Sequence, residues 1–175
     1  MDKLQVLTLS HFEIRTARIG EMERFYTEAL GFAVTDRSES GGMVFLSRNP
    51  EEHHQLVLAD ADGGDGRRLD HIAFRAGSLR EIREIALYIA AIPEAALDPV
   101  SHGNSWSLYF RDPDGNRLEV FTDTPWHVRQ PVRFAMDFTL PEEEIHRRTL
   151  DHIRAMPDFR EISDWRKDHA ATLSG

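Results

Sequence analysis

The chain has 175 residues, 41% of them hydrophobic, a formal charge of −9 and no cysteine. That length buries a core without staples, and the missing thiols exclude disulfides, thiolate zinc sites and a cysteine nucleophile, so any metal must be held by His, Asp or Glu. An acidic surface opposes nucleic acid and anionic lipid, and neither a basic leader nor about eighteen consecutive apolar residues occurs, so a cytoplasmic protein that binds neither nucleic acid nor membrane is expected.

In chain order, Val6 to Arg15 is strand-like, and Ile19 to Leu30 carries Ile19, Met22, Phe25, Tyr26 and Leu30 at helical spacing before the helix-stopping Gly31. Three short strands are expected over Phe32–Asp36, Met43–Ser47 and Gln55–Ala59, separated by Ser-Gly-Gly and Asn-Pro turn signals. A joint rich in Asp and Gly follows from Asp60 to Gly66. A second unit begins at Leu69. Its helix starts at Ser78 as N-cap, with Glu81 completing a capping-box pattern and Pro93 ending it. Strands follow over Asp98–Ser101, Trp106–Arg111 and Arg117–Thr122, the last two joined by a tight turn at Asp112-Pro113-Asp114-Gly115-Asn116. From Thr124 onward Pro125–Pro131 reads as an extended crossing segment. A helix then begins near Pro141-Glu142 with Ile145, Leu150, Ile153 and Met156 as its buried stripe, and the Glu142-Glu143-Glu144 run suits the positive end of its dipole.

The two units repeat at an offset of sixty residues. His11 matches His71, Arg15 matches Arg75 and Glu21 matches Glu81, while Phe12, Ile14, Ile19 and Met22 match Ile72, Phe74, Leu79 and Ile82. In each copy a period-two segment passes into a period-3.6 segment, so each half reads as βαβββ with a histidine on its first strand. The expected fold class is α+β: two tandem modules, residues 4–60 and 68–123, form a curved mixed sheet around a metal cavity within one domain, 1–124. Residues 125–175 form a C-terminal extension with a helix.

Related halves set His11 and His71 toward one interior, and converging imidazoles without cysteine suggest a metal. Glu119 is the candidate third ligand, since it lies between Leu118 and Val120, where an unpaired charge would be costly. The equivalent position in the first half falls near Gln55 and offers no carboxylate. Three ligands with open positions are the set used by non-haem Fe(II) oxygenases. His127, His146, His152 and His169 read as surface residues of the tail, Arg15 and Arg75 as structural partners of acidic groups, and Trp106, Phe45 and Phe110 as candidate pocket walls.

The stretch Tyr109-Phe110-Arg111-Asp112-Pro113-Asp114-Gly115-Asn116-Arg117-Leu118-Glu119 resembles the turn before the last metal-binding glutamate in the vicinal oxygen chelate superfamily, that of the glyoxalases, bleomycin resistance proteins and dioxygenases. Because His54, His102 and Tyr109 accompany it, the chain from Leu4 to Thr124 is most similar to one-domain type I extradiol ring-cleavage dioxygenases. That resemblance implies His11, His71 and Glu119 as ligands of Fe(II), with Mn(II) accepting the same geometry. It implies His54 as the acid–base residue that moves protons as the O–O bond breaks, with His102 and Tyr109 hydrogen-bonding or deprotonating a catechol. His53 competes with His54, because alternation lets only one of them face inward. The partners implied are a catechol-type substrate and O2, and the small modules of this fold often assemble, so a homo-oligomer is expected. Two rivals share the fold. One is a glyoxalase-type isomerase or lyase using Zn(II), Ni(II) or Co(II), and the other is a drug-binding protein that needs no metal.

Overall fold

A computed structural model describes residues 7–61, 69–92, 96–111 and 115–173. They form two compact units: His11–Ile72 joined by residues 163–173, and Ala73–Ile162 joined by residues 7–10. The division passes through the first strand of each repeat rather than through the Asp- and Gly-rich joint, whose residues 62–66 lie outside the described ones.

In the first unit β1 (Thr8–Thr16) feeds α1 (Ile19–Arg24), which widens into a π-helical turn over Phe25–Ala29. Gly31, at φ 68°, reverses the chain into β2 (Ala33–Arg37), β3 (Met43–Ser47) and β4 (Leu56–Asp60). The strand order is β1-β4-β3-β2, with β1 and β4 parallel and the other pairs antiparallel. Val44, Leu46, Leu56 and Leu58 make its core, against which Ile14, Ile19, Met22, Tyr26, Phe32 and Val34 pack. Phe25 and Leu30 leave the expected stripe and are 55% and 41% exposed. The π turn takes up an extra residue, so the stripe beyond Arg24 falls out of 3.6-residue phase, and of Phe25, Tyr26 and Leu30 only Tyr26 packs on the core.

The second unit opens on β5 (Leu69–Arg75), the strand along which the chain passes from one unit to the other. In α2 (Leu79–Ala90) the Ser78 hydroxyl accepts the Glu81 N–H at 3.3 Å, and the Glu81 carboxylate takes the Gly77 N–H at 2.8 Å. The capping box therefore closes one residue earlier than its usual return bond to the N-cap. Pro93 and Asp112–Asp114, where a helix end and a tight turn are expected, lie outside the described residues. β6 (Asp98–Ser101), β7 (Ser105–Arg111) and β8 (Arg117–Asp123) form an antiparallel meander.

Beyond β8 come β9 (Trp126–His127), β10 (Phe134–Ala135), α3 (Glu142–Ile153), β11 (Arg160–Glu161) and α4 (Ile162–Leu173). β10 extends the meander to β10-β6-β7-β8, and β9 pairs with β11. α3 buries Ile145, Thr149 and Ile153 completely, while Leu150 and Met156 are only partly covered. Each fully buried aliphatic side chain contributes about 1.5–3 kcal/mol, so the extension is part of the core of this unit and not an appendage. At its start Glu144, bonded by Arg147 and then Arg148, has its carboxyl pulled down to about 2.

The architecture is the expected α+β fold of βαβββ modules with a helical extension, and that extension carries two helices, α3 on the second unit and α4 on the first. α4 has only Trp165 and His169 buried, an apolar signal too thin to show in hydrophobic periodicity. No helix among the described residues is long and apolar enough to cross a membrane.

Candidate active site

His11 on β1 and His71 on β5 are each 4% exposed, and their Nε2 atoms lie 3.3 Å apart with the rings nearly perpendicular. Behind His71, Asp70 Oδ2 is 2.9 Å from Nδ1. A carboxylate only accepts, so Nδ1 carries the proton and the Nε2 of a neutral His71 is the unprotonated nitrogen, facing His11. Asp70 is held in turn by Arg15, whose Nε donates to Oδ1 at 2.9 Å and whose terminal nitrogen binds the same oxygen. A carboxylate behind a histidine, itself fixed by a cation, is the arrangement that orients metal-ligating imidazoles and raises their basicity.

His54, two residues before β4, places its ring 4.2 Å from that of His11 and 5.3 Å from Phe45. The Nδ1 atoms of His53 and His54 are 2.9 Å apart, so one ring donates to the other. His53 turns the other way, with its Nε2 3.6 Å from Asp36 Oδ2 and its ring 5.3 Å from Trp165 of α4. Of the two adjacent histidines, His54 is therefore the one beside His11. His169 packs on Trp165, and its imidazole titrates below the ordinary value because of burial first and the nearby His53 second. Gln55, near the first-half position equivalent to Glu119, has its amide oxygen accepting the Arg48 N–H at 2.9 Å.

In the second unit Glu119 on β8 is 3% exposed and stands opposite Tyr109 in the β7–β8 register. Tyr109 is also buried, with the Arg117 guanidinium 4.0 Å from its ring centroid. Its hydroxyl lies 3.1 Å from His102 Nε2, and His102 Nδ1 lies 2.6 Å from the Val132 carbonyl. The structure thus brings His11, His71 and His54 together in one unit and His102, Tyr109 and the Tyr109-paired Glu119 in the other.

Several expectations change. His127 and His169 are buried at 3% and 6% exposure, because β9 and α4 fold back onto their units, whereas His152 is exposed and stacks on Phe134. Trp106 donates from Nε1 to Thr149 at 2.9 Å and belongs with Phe110 to the core under α3, leaving Phe45 as the wall candidate beside a site histidine. Arg15 and Arg75 pair with Asp70 and Asp123 as expected. Sequence patterns do not single out Asp70, Gln130 or Val132. Strand alternation assigns Asp70 to the face opposite His71, and a backbone carbonyl such as that of Val132 has no sequence signal.

Residues 8–120 match the Glyoxalase/Bleomycin resistance protein/Dioxygenase superfamily. The chain belongs to this superfamily. Among curated superfamily members it is 34% identical over 122 residues to biphenyl-2,3-diol 1,2-dioxygenase 3 of Rhodococcus globerulus, covering 66% of this chain and 63% of that protein. It is 27% identical over 158 residues to metapyrocatechase of Geobacillus stearothermophilus, covering 86% of this chain and 46% of the relative. Among solved structures the 2,3-dioxygenase LapB of a Pseudomonas species superposes with a TM-score of 0.58 at 25% identity, over 65% of this chain and 41% of that one. The chain thus spans less than two thirds of the length of these relatives.

Proposed function

We propose that this superfamily member is an extradiol dioxygenase that opens the ring of a catechol-type substrate with O2, using Fe(II) held by His11, His71 and Glu119. The observation that carries the reading is the buried His11–His71 pair, its Nε2 atoms 3.3 Å apart with Asp70 fixing the proton of His71 on the far nitrogen. Two neutral imidazoles and a carboxylate, all three buried, fit a divalent metal with sites left for ligands, and no thiolate competes for a softer ion. Manganese(II) fits the same donors. The dioxygenase names of the curated relatives support the reaction class.

His11, His71 and Glu119 would hold the Fe(II), which when bound would supply a Lewis-acidic, redox-active centre for the catechol and O2. The protein's own part is proton handling and placement. His54, against the His11 ring, can give or take a proton beside the ligands, with His53 as the neighbour that shares its Nδ1 hydrogen bond. Tyr109 and His102, already hydrogen-bonded to each other, would receive a substrate hydroxyl. Both atoms of O2 end in the ring-opened product, so uptake and product should be stoichiometric.

The test is oxygen consumption with near-ultraviolet and visible absorbance after anaerobic reconstitution with Fe(II), across a panel of catechols that includes 2,3-dihydroxybiphenyl. Uptake equal to substrate consumed, with a yellow product, is expected. No uptake by iron-loaded protein across the panel, with tight Zn(II) or Ni(II) binding instead, would overturn the reading and transfer the site to the isomerase class.

A further inference from the structure

We propose that the C-terminal extension is part of the active site, and that Gln130 is a positioning residue which sets the tautomer of His102 and hence the direction of the Tyr109 hydroxyl. The catalytic consequence rests on the dioxygenase reading; the tautomer does not.

The loop that carries His102 has little of its own to define it. It is the short link between β6 and β7, and its shape comes from residues that follow β8. Thr124 Oγ1 donates to the Gly103 carbonyl at 2.6 Å. Gly103 sits at φ +78°, and a Cβ there would fall 2.6 Å from Val128 Cγ2 and 3.2 Å from Ile153 Cγ2. The extension and α3 are therefore moulded against the residue next to His102 so closely that only glycine fits. Gln130, 5% exposed, closes the mould. Its amide nitrogen donates to the His102 carbonyl at 2.9 Å and to the Val128 carbonyl at 3.2 Å, and its amide oxygen accepts the Val132 N–H at 3.0 Å. One side chain thus ties the backbone of His102 to the backbone of Val132.

The result is the 2.6 Å contact between His102 Nδ1 and the Val132 carbonyl. A carbonyl has no proton to give, so Nδ1 must bear it, and in the neutral ring Nε2 is the acceptor. Tyr109 has a single hydroxyl proton, which points to His102 Nε2 at 3.1 Å. The phenol oxygen then presents lone pairs rather than a proton to an incoming hydroxyl, so the substrate hydroxyl donates to Tyr109. If His102 carried its proton on Nε2, the order would reverse and Tyr109 would donate to the substrate. A catechol that must lose a proton as it binds is served by the first arrangement.

Two-bond proton–nitrogen correlation spectra of the full-length, metal-free, nitrogen-15-labelled chain near pH 8 would test this, with the His102 signals assigned by their loss in His102→Gln. The wild-type spectrum should show His102 as the Nδ1–H tautomer, and Gln130→Leu should move it to a mixture with the Nε2–H form while the cooperative melt is kept. Gln130→Glu, which keeps the acceptor for Val132 but loses both donors, should fall between. In the Fe(II)-loaded enzyme Gln130→Leu should lower kcat about 10- to 100-fold, with KM changing far less. An Nε2–H tautomer in the wild type overturns the proposal even if Gln130→Leu does not fold, and so does an unchanged spectrum or kcat in a folded Gln130→Leu. Absence of any oxygen uptake by the wild type would instead overturn the dioxygenase reading and leave the tautomer result standing.

Discussion

The two histidine clusters are built by different means. His11 and His71 are placed by regular strands at equivalent points of a repeat, and the group behind His71 is its sequence neighbour Asp70, a side chain held by the side chain of Arg15. His102 sits on a loop shaped by residues from 124 to 153, and its partner is a main-chain carbonyl. The first construction is local and chemical, so substitution of one side chain should change metal chemistry before it changes the fold. The second is distributed and steric, so disturbing it should be felt as stability and geometry together.

The largest expected effect separates ligands from scaffold. His71→Ala and Glu119→Ala should each abolish metal retention and oxygen uptake while the circular dichroism spectrum stays close to that of the wild type; normal iron content in both by elemental analysis would remove them from the ligand set. Next, Gly103→Ala attacks the mould. A side chain forced into left-handed backbone and into Val128 should cost about 2–5 kcal/mol in denaturant unfolding, and an unchanged midpoint would mean that the extension does not grip the His102 loop as described. Asp70→Asn should act on the metal instead, weakening affinity about 10- to 100-fold through loss of the group that orients and polarises His71. Competition with a chelator reads this directly, and equal affinity would show that Asp70 serves only Arg15.

The smallest effect concerns α4. His169 is held below its ordinary value of about 6.5 by burial and by His53. As pH falls through about 6.5 the unfolded chain takes up a proton that the folded His169 resists, so stability is full above that value and declines below it, toward the folded pKa. The thermal midpoint should be lower at pH 5.5 than at pH 7.5, and His169→Phe, which keeps the packing on Trp165, should flatten that dependence. An identical slope in the variant would assign the pH response elsewhere.

Much of the fold was legible because strand and helix periods survive in the sequence. Met43–Ser47 and Asp98–Ser101 are strands with the bounds expected, and the Ser78–Glu81 cap is formed. The failures are equally physical. The π turn after Arg24 breaks the phase on which the stripe over Ile19–Leu30 depends, and α4 is held by two aromatic rings rather than by an aliphatic face. Burial of His127 and His169 depends on which segments fold back, and a one-dimensional pattern carries no record of that.

By itself the sequence determined the repeat, the pairing of His11 with His71, the absence of any thiolate ligand and the superfamily to which Tyr109 through Glu119 point, since these depend on residue identity and spacing along one chain. Only the tertiary structure decided that His54 and not His53 stands beside His11, that Asp70 backs His71, and that Gln130 and the Val132 carbonyl orient His102. Those outcomes rest on distances between segments far apart in sequence and on main-chain groups that every residue possesses, so they come into existence only when the chain is folded.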